Sequence, residues 1–207
     1  IRLTNAVDVT VDAGTVVAAN RLSGVRVEAS QPITDTAGNI VTPGNTVRGV
    51  TIRDNLGHGV IVNASTSQTI GGVLDGDENL VSGNTLDGVM INGNSRLIAV
   101  EGNVIASNHR NGISVFSAND VTIAEGNEVS GNLVDGITFY GTSTRGVVKD
   151  NFIGQTEAGS ANGNGQDGVS LVGVNGITLD GNVIGSNLRT GVTILNAIAG
   201  GPSLANK

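Results

Sequence analysis

The sequence predicts an all-β chain, a right-handed parallel β-helix of about seven coils, each about 24 residues long and built from three short strands. Three observations predict it. A glycine-led apolar tetrapeptide recurs along the chain, an asparagine stands at a fixed distance before each such glycine, and the apolar content comes almost entirely from Val, Ile, Leu and Ala. With 32 Gly, 3 Pro and 2% aromatic residues, the composition suits many thin strands better than helices around an aromatic core. The 207 residues fit one elongated domain, 1–207, either whole or cut from a longer protein.

The first strand of each coil is the tetrapeptide. It reads Gly24-Val25-Arg26-Val27, Gly59-Val60-Ile61-Val62, Gly88-Val89-Met90-Ile91, Gly112-Ile113-Ser114-Val115, Gly136-Ile137-Thr138-Phe139, Gly168-Val169-Ser170-Leu171 and Gly191-Val192-Thr193-Ile194. The glycines step by 35, 29, 24, 24, 32 and 23, a coil of constant size with occasional insertions. Four residues before each stands an asparagine: Asn20, Asn55, Asn84, Asn108, Asn132, Asn164 and Asn187.

A second strand is marked by Asn79, Asn103, Asn127, Asn151 and Asn182, each followed two residues later by Val81, Ile105, Val129, Ile153 and Ile184. A third is marked by the pairs Val50/Ile52, Ile98/Val100, Val121/Ile123 and Ile177/Leu179, with the single intervening residue that strand alternation demands. Strands that repeat with one inward face bury it only against the coils above and below, so they stack in parallel at about 4.8 Å per coil. The asparagines belong at the corners, where each carboxamide can pair with its equivalent one coil away. The glycines after them are expected to supply positive φ. Residues 1–11 alternate like a first strand, and 196–207, with Gly200, Gly201 and Pro202, read as a trailing loop. No capping helix is evident, so truncation or end-to-end self-association is expected.

These units resemble the right-handed parallel β-helix repeat superfamily, which includes pectate lyases, polygalacturonases, alginate lyases and epimerases, phage tailspikes and bacterial surface proteins. The run from Thr69 to Asn84, and Asn151-Phe152-Ile153-Gly154, are similar to repeats of large bacterial surface or secreted members. The resemblance covers nearly the whole chain. It implies an extracellular or cell-surface location and a fold, but not an activity.

Composition excludes some functions. A net charge of −7 with scattered Lys and Arg gives no basic stripe for nucleic acid. No apolar run reaches the roughly eighteen residues of a spanning helix, so membrane insertion is not expected. The absence of cysteine removes thiol catalysis and disulfides.

Candidate chemistry lies where residues break the pattern. Gly57-His58-Gly59-Val60 resembles the Gly-His-Gly-apolar motif of polygalacturonases, in which a histidine can tune a neighbouring acid. The other polygalacturonase motifs are missing, and the outward strand positions, Arg26, Ile61, Met90, Ser114, Thr138, Ser170 and Thr193, hold no carboxylate. Asp75, Asp77 and Glu78 form an acidic loop that could bind a polysaccharide or calcium, the one candidate cofactor. In the column just before the glycines, Asp135 and Asp167 repel unless solvated or bridged by calcium, with solvation at an exposed corner favoured.

Three long loops, 28–45, 63–78 and 155–166, are candidates to wall a groove beside His58; the first, with Pro32, Asp35, Gly38 and Pro43, reads as a projecting hairpin. An outward threonine ladder suited to ice is read as broken, since its column runs Thr51, Ala99, Val147 and Thr178 with Thr122 offset. The leading functional reading is a noncatalytic spacer or adhesive segment that binds a polysaccharide or cell-surface component. The alternative is a carbohydrate-active enzyme, a lyase, hydrolase or epimerase on acidic polysaccharide, centred on His58 with Arg53, Asp87 and the acidic loop.

Overall fold

The computed structural model describes residues 1–196 and 203–205. Three parallel sheets run its length, with eight, eight and seven strands among the described residues. Sheet A holds the tetrapeptide strands, from Arg2–Thr4 through Val60–Asn63, Val89–Asn92, Ile113–Phe116 and Ile137–Tyr140 to Val192–Leu195. Sheet B runs from Thr10–Val11 to Ser203–Ala205, and sheet C from Val16–Ala18 to Val183–Ile184. Each strand pairs in register with its counterpart one coil away, as Val60↔Val89 and Val89↔Ile113 illustrate. The chain is therefore a parallel β-helix.

Alternation fixes the core. In sheet A the inward columns are Val60, Val89, Ile113, Ile137 and Val169, and Val62, Ile91, Val115, Phe139 and Leu171, all fully buried. Sheet C adds Ile52, Val81, Ile105, Val129 and Ile153, and sheet B adds Ile70, Val100, Ile123, Val148 and Leu179. Each aliphatic side chain rests on another one coil away, and this is the only way such thin strands can bury their apolar area.

Both asparagine columns form continuous ladders. Asn55 Nδ2 donates to Asn84 Oδ1 at 2.9 Å, Asn84 to Asn108 at 2.9 Å and Asn108 to Asn132 at 3.0 Å, and each Oδ1 also accepts the preceding coil's asparagine N–H. Asn79, Asn103, Asn127, Asn151 and Asn182 repeat this at the next corner. A serine column at the third corner caps backbone in the same way, Ser30 N–H to Ser65 Oγ and Ser65 N–H to Ser95 Oγ, both at 3.1 Å.

Several expectations need correction. The tetrapeptide glycines do not adopt positive φ; the left-handed residue is the one before the asparagine, as at Asp54, Gly83, Ser107 and Gly131. The glycines are needed for space: a Cβ on Gly112 would lie 2.4 Å from Val129 Cγ1, 2.7 Å from Gly136 O and 2.8 Å from Asn132 Nδ2. Val50/Ile52 belongs to sheet C, where Ile52 aligns with Val81, while Val50 stands in the asparagine column and gives its N–H to Asn79 Oδ1. Residues 1–11 make two strands in different sheets, divided at Asn5 and Asp8, both at positive φ. Of the trailing segment, Ser203–Ala205 is a strand paired with Thr178–Asp180, and the remainder beyond 196 lies outside the described residues.

The three loops leave from three different corners. Residues 33–42 do form a hairpin, Ile33–Thr34 against Ile40–Thr42, between sheets A and B. Residues 72–79 join sheet B to sheet C. Residues 155–166 fold back over sheet C, with Glu157 N–H on Glu128 Oε1 and Asn162 Nδ2 on Ser130 Oγ. Insertions at separate corners cannot build one wall, so no groove forms between them. The threonine column is also more regular than expected: Thr10, Thr46, Thr69, Ala99, Thr122, Val147 and Thr178 align in sheet B, and Thr51 lies in sheet C.

Candidate functional site

The site is on the outer face of sheet A. Its outward strand column, Arg26, Ile61, Met90, Ser114, Thr138, Ser170 and Thr193, is in register as expected, yet from Ile61 to Ser170 it is buried. Side chains of the flanking columns close over it. On one flank lies the column before the glycines, with His58, Asp87, Asn111, Asp135 and Asp167 in successive coils. On the other lies the column that ends the strands, with Asn63, Asn92, Phe116 and Tyr140.

His58 and Asp87 come together. Nδ1 of His58 lies 3.2 Å from Oδ2 of Asp87, with 15% of the imidazole and 2% of the carboxylate exposed. This is ion-pair distance without the alignment of a good hydrogen bond, and Nδ1 has no other partner. Asp87 Oδ1 is held by Asn111, through its N–H at 3.1 Å and Nδ2 at 2.9 Å; the same Nδ2 reaches Ser114 Oγ at 3.0 Å. Burial alone pushes the Asp87 carboxyl up, but the His58 contact, the Asn111 N–H and the Arg110 guanidinium outweigh it and leave the group below the ordinary carboxylate range.

Tyr140 is a residue that sequence reasoning missed. Its ring packs on Phe116 with centroids 4.8 Å apart and a 31° tilt. Burial first, and then the Asp87 charge, hold its phenol above the usual tyrosine range, against a smaller opposing effect of Arg110. One available signal was that the chain's only tyrosine sits in an outward position of the first strand, in register with a phenylalanine.

The other candidates lie elsewhere or have structural roles. Both glycines of Gly57-His58-Gly59 are needed for packing, Gly57 against Leu22 and Ser23 and Gly59 against Val81 and Asn84, so only His58 is left unexplained. Arg53 lies in sheet C, paired with Asp54, and is not part of the His58 site. The acidic loop is on a different corner, where Asp77 faces Arg48 at 3.5 Å and Glu78 accepts the N–H of Gly76. Asp135 and Asp167 do occupy neighbouring coils, but not an open corner. Asp167 is buried, Asp135 Oδ1 accepts the Asp167 N–H, and Asp167 Oδ1 accepts the Thr190 N–H, both at 3.0 Å. Among the described residues no three His, Asp or Glu side chains come together as a metal site.

An open cavity of about 480 Å³ at the N-terminal end of this face is lined by Arg2, Asn20, Arg21, Ser23 and Arg26, with Ile1 and Leu22. Arg2 and Arg26 are both paired with Glu28.

The family model described as "Right handed beta helix region" matches residues 36–197. The chain belongs to the right-handed β-helix family. No curated protein matches the sequence. Among solved structures, this β-helix is similar to the A-module of the Azotobacter vinelandii mannuronan C-5 epimerase AlgE6, with TM-score 0.67 and 16% identity over 92% of this chain and 49% of that one. It is also similar to the A-module of the AlgE4 enzyme of the same organism, with TM-score 0.61 and 16% identity over 99% of this chain and 57% of that one. This β-helix thus spans about half the length of the structures it matches, and at such identity the likeness is one of fold. No helix among the described residues is long and apolar enough to cross a membrane.

Proposed function

We propose that the outer face of sheet A acts on acidic polysaccharide by proton transfer at the carbon next to a sugar carboxylate, the chemistry of a lyase or an epimerase. The observation that carries this reading is the His58–Asp87 pair at 3.2 Å, with Asp87 fixed by Asn111. An ionised Asp87 favours the proton on Nδ1 of His58, which leaves Nε2 as the general base. Arg110, exposed beside Asn111, can neutralise the substrate carboxylate and make the neighbouring C–H more acidic. Solvent water returns a proton, to the opposite face of the carbanion in epimerisation or to the departing glycosidic oxygen in elimination, because Tyr140, which keeps its proton at neutral pH, stands three coils beyond His58 and serves a different sugar.

Hydrolysis is less well supported. It ordinarily needs two available carboxyl groups, whereas Asp87 is engaged at both oxygens, and Asp135 and Asp167 are tied to the next coil. Activity on an extracellular polymer implies an exported or surface location, an expectation shared with the noncatalytic spacer or adhesin reading. The observation favouring that second reading is the continuity of the corner ladders, which make a stiff rod whatever its faces do.

The test is turnover of alginate, pectate and glycosaminoglycans, with and without calcium, followed by unsaturated products and by NMR of sugar configuration. We expect one polymer to be turned over, with at least a 100-fold loss in His58→Ala. No turnover across the panel beside working control enzymes, or full activity in His58→Ala, would return the spacer or adhesin reading to first place.

A further inference from the structure

The chain has four aromatic side chains, and two of them share one spot. Phe139 is buried in the core and Phe152 lies in sheet C, but Phe116 and Tyr140 stand in register at the outer edge of sheet A. Phe116 leaves 41% of its surface in solvent, while Tyr140 packs against it at 4.8 Å. Between these rings and Asp87 the surface is filled by small polar groups: Ser114, fully buried and bound to Asn111 Nδ2, and Thr138, nearly so. The result is a flat strip with a proton-transfer pair on one side and an exposed aromatic face on the other.

We propose that the exposed face of Phe116, backed by Tyr140, is a stacking platform for a pyranose ring of the acidic polysaccharide, and that it sets which sugar lies over His58. This rests on the reading of sheet A as a polysaccharide-active face. Pyranose rings present a C–H face that packs on aromatic surface, while their hydroxyl and carboxylate groups stay at the rim, here toward Arg110. Phe116 is one coil beyond Asp87 and two beyond His58, and coils stack at about 4.8 Å. His58 precedes the strand and Phe116 ends it, five positions apart across the sheet at about 3.3 Å each, so a glycan crossing the face obliquely places one sugar on the ring and another, a few sugars further on, at the pair.

The test measures affinity for hexamers of alginate and of pectate by calorimetry, alongside KM wherever turnover is found. Phe116→Ala should bind about tenfold more weakly, with a melt lowered by only a few degrees through the lost packing on Tyr140, and Phe116→Trp should stay within about threefold of the original chain. Unchanged affinity in Phe116→Ala, or no hexamer binding by the original chain, overturns the platform. Phe116-dependent binding without turnover supports the platform and removes the proton-transfer reading. Turnover that needs His58 but has the same KM in Phe116→Ala keeps the chemistry and removes the platform.

Discussion

At the scale of single residues, the column before the glycines shows how one chemical type serves two purposes. Asp87, Asp135 and Asp167 each cap a backbone N–H of the next coil, and Asn111 fills the place between Asp87 and Asp135 in the same way. Burial raises the Asp135 carboxyl above its ordinary range; the hydrogen bond from the Asp167 N–H opposes it, the charge of Asp167 adds to the rise and Arg189 opposes it least. A carboxylate whose folded pKa lies above the unfolded value is easier to ionise in the unfolded chain. Its contribution is harmless at low pH, and stability is lost as pH rises through the unfolded and then the folded pKa. Asp135→Asn keeps an oxygen for the Asp167 N–H and removes the charge. It should raise the melting temperature at pH 7 by about 2 °C and leave it unchanged at pH 3; equal melts at pH 7 would mean that the charge is fully solvated. The column itself was legible in the sequence, but its burial was not, because the residues that cover it come from neighbouring coils.

At the scale of strands and corners, glycine has two distinct roles. Gly112 has an ordinary φ and no room for a Cβ, whereas Gly126 has φ of +78° and nothing within 4 Å of the place a Cβ would take. Gly112→Ala should therefore cost about 3 kcal/mol through overpacking, and Gly126→Ala only about 1 kcal/mol through backbone strain. Urea unfolding of the two variants checks this, and equal costs would show that the coil yields at Gly112. The sequence pattern located the tetrapeptide glycines but assigned positive φ to them, because the crowding that requires glycine at Gly112 comes from the next coil and is not written in the local sequence. The serine corner of Ser30, Ser65 and Ser95 was missed for a related reason. Its spacing from the tetrapeptide is regular in only part of the chain, and serine is common enough in turns to carry little signal alone.

At the scale of the whole molecule, the ladders make stability a sum over neighbouring coils. Asn108 sits mid-column, accepting from Asn84 N–H and Nδ2 and donating to Val81 O and Asn132 Oδ1. Asn20, at the exposed end, has a single side-chain bond, Nδ2 to Asn55 Oδ1. Asn108→Leu should cost about 3 kcal/mol or more, roughly 6–12 °C in melting temperature, and Asn20→Leu under about 1 kcal/mol. Similar melts for the two variants would mean that the ladder adds no stability. The sequence by itself determined the parallel solenoid, its coil length, the strand that carries the tetrapeptide and both asparagine ladders, because a repeated coil writes the same inward and corner requirements into the chain at a fixed period. Only the tertiary structure decided that His58 meets Asp87, that Arg53 and the acidic loop lie on other faces, and that Phe116 and Tyr140 share the His58 face. Those relations depend on which corner each insertion leaves from and on what lies one coil away, 23 to 35 residues distant in the chain. No local pattern encodes such distances until the coils are stacked.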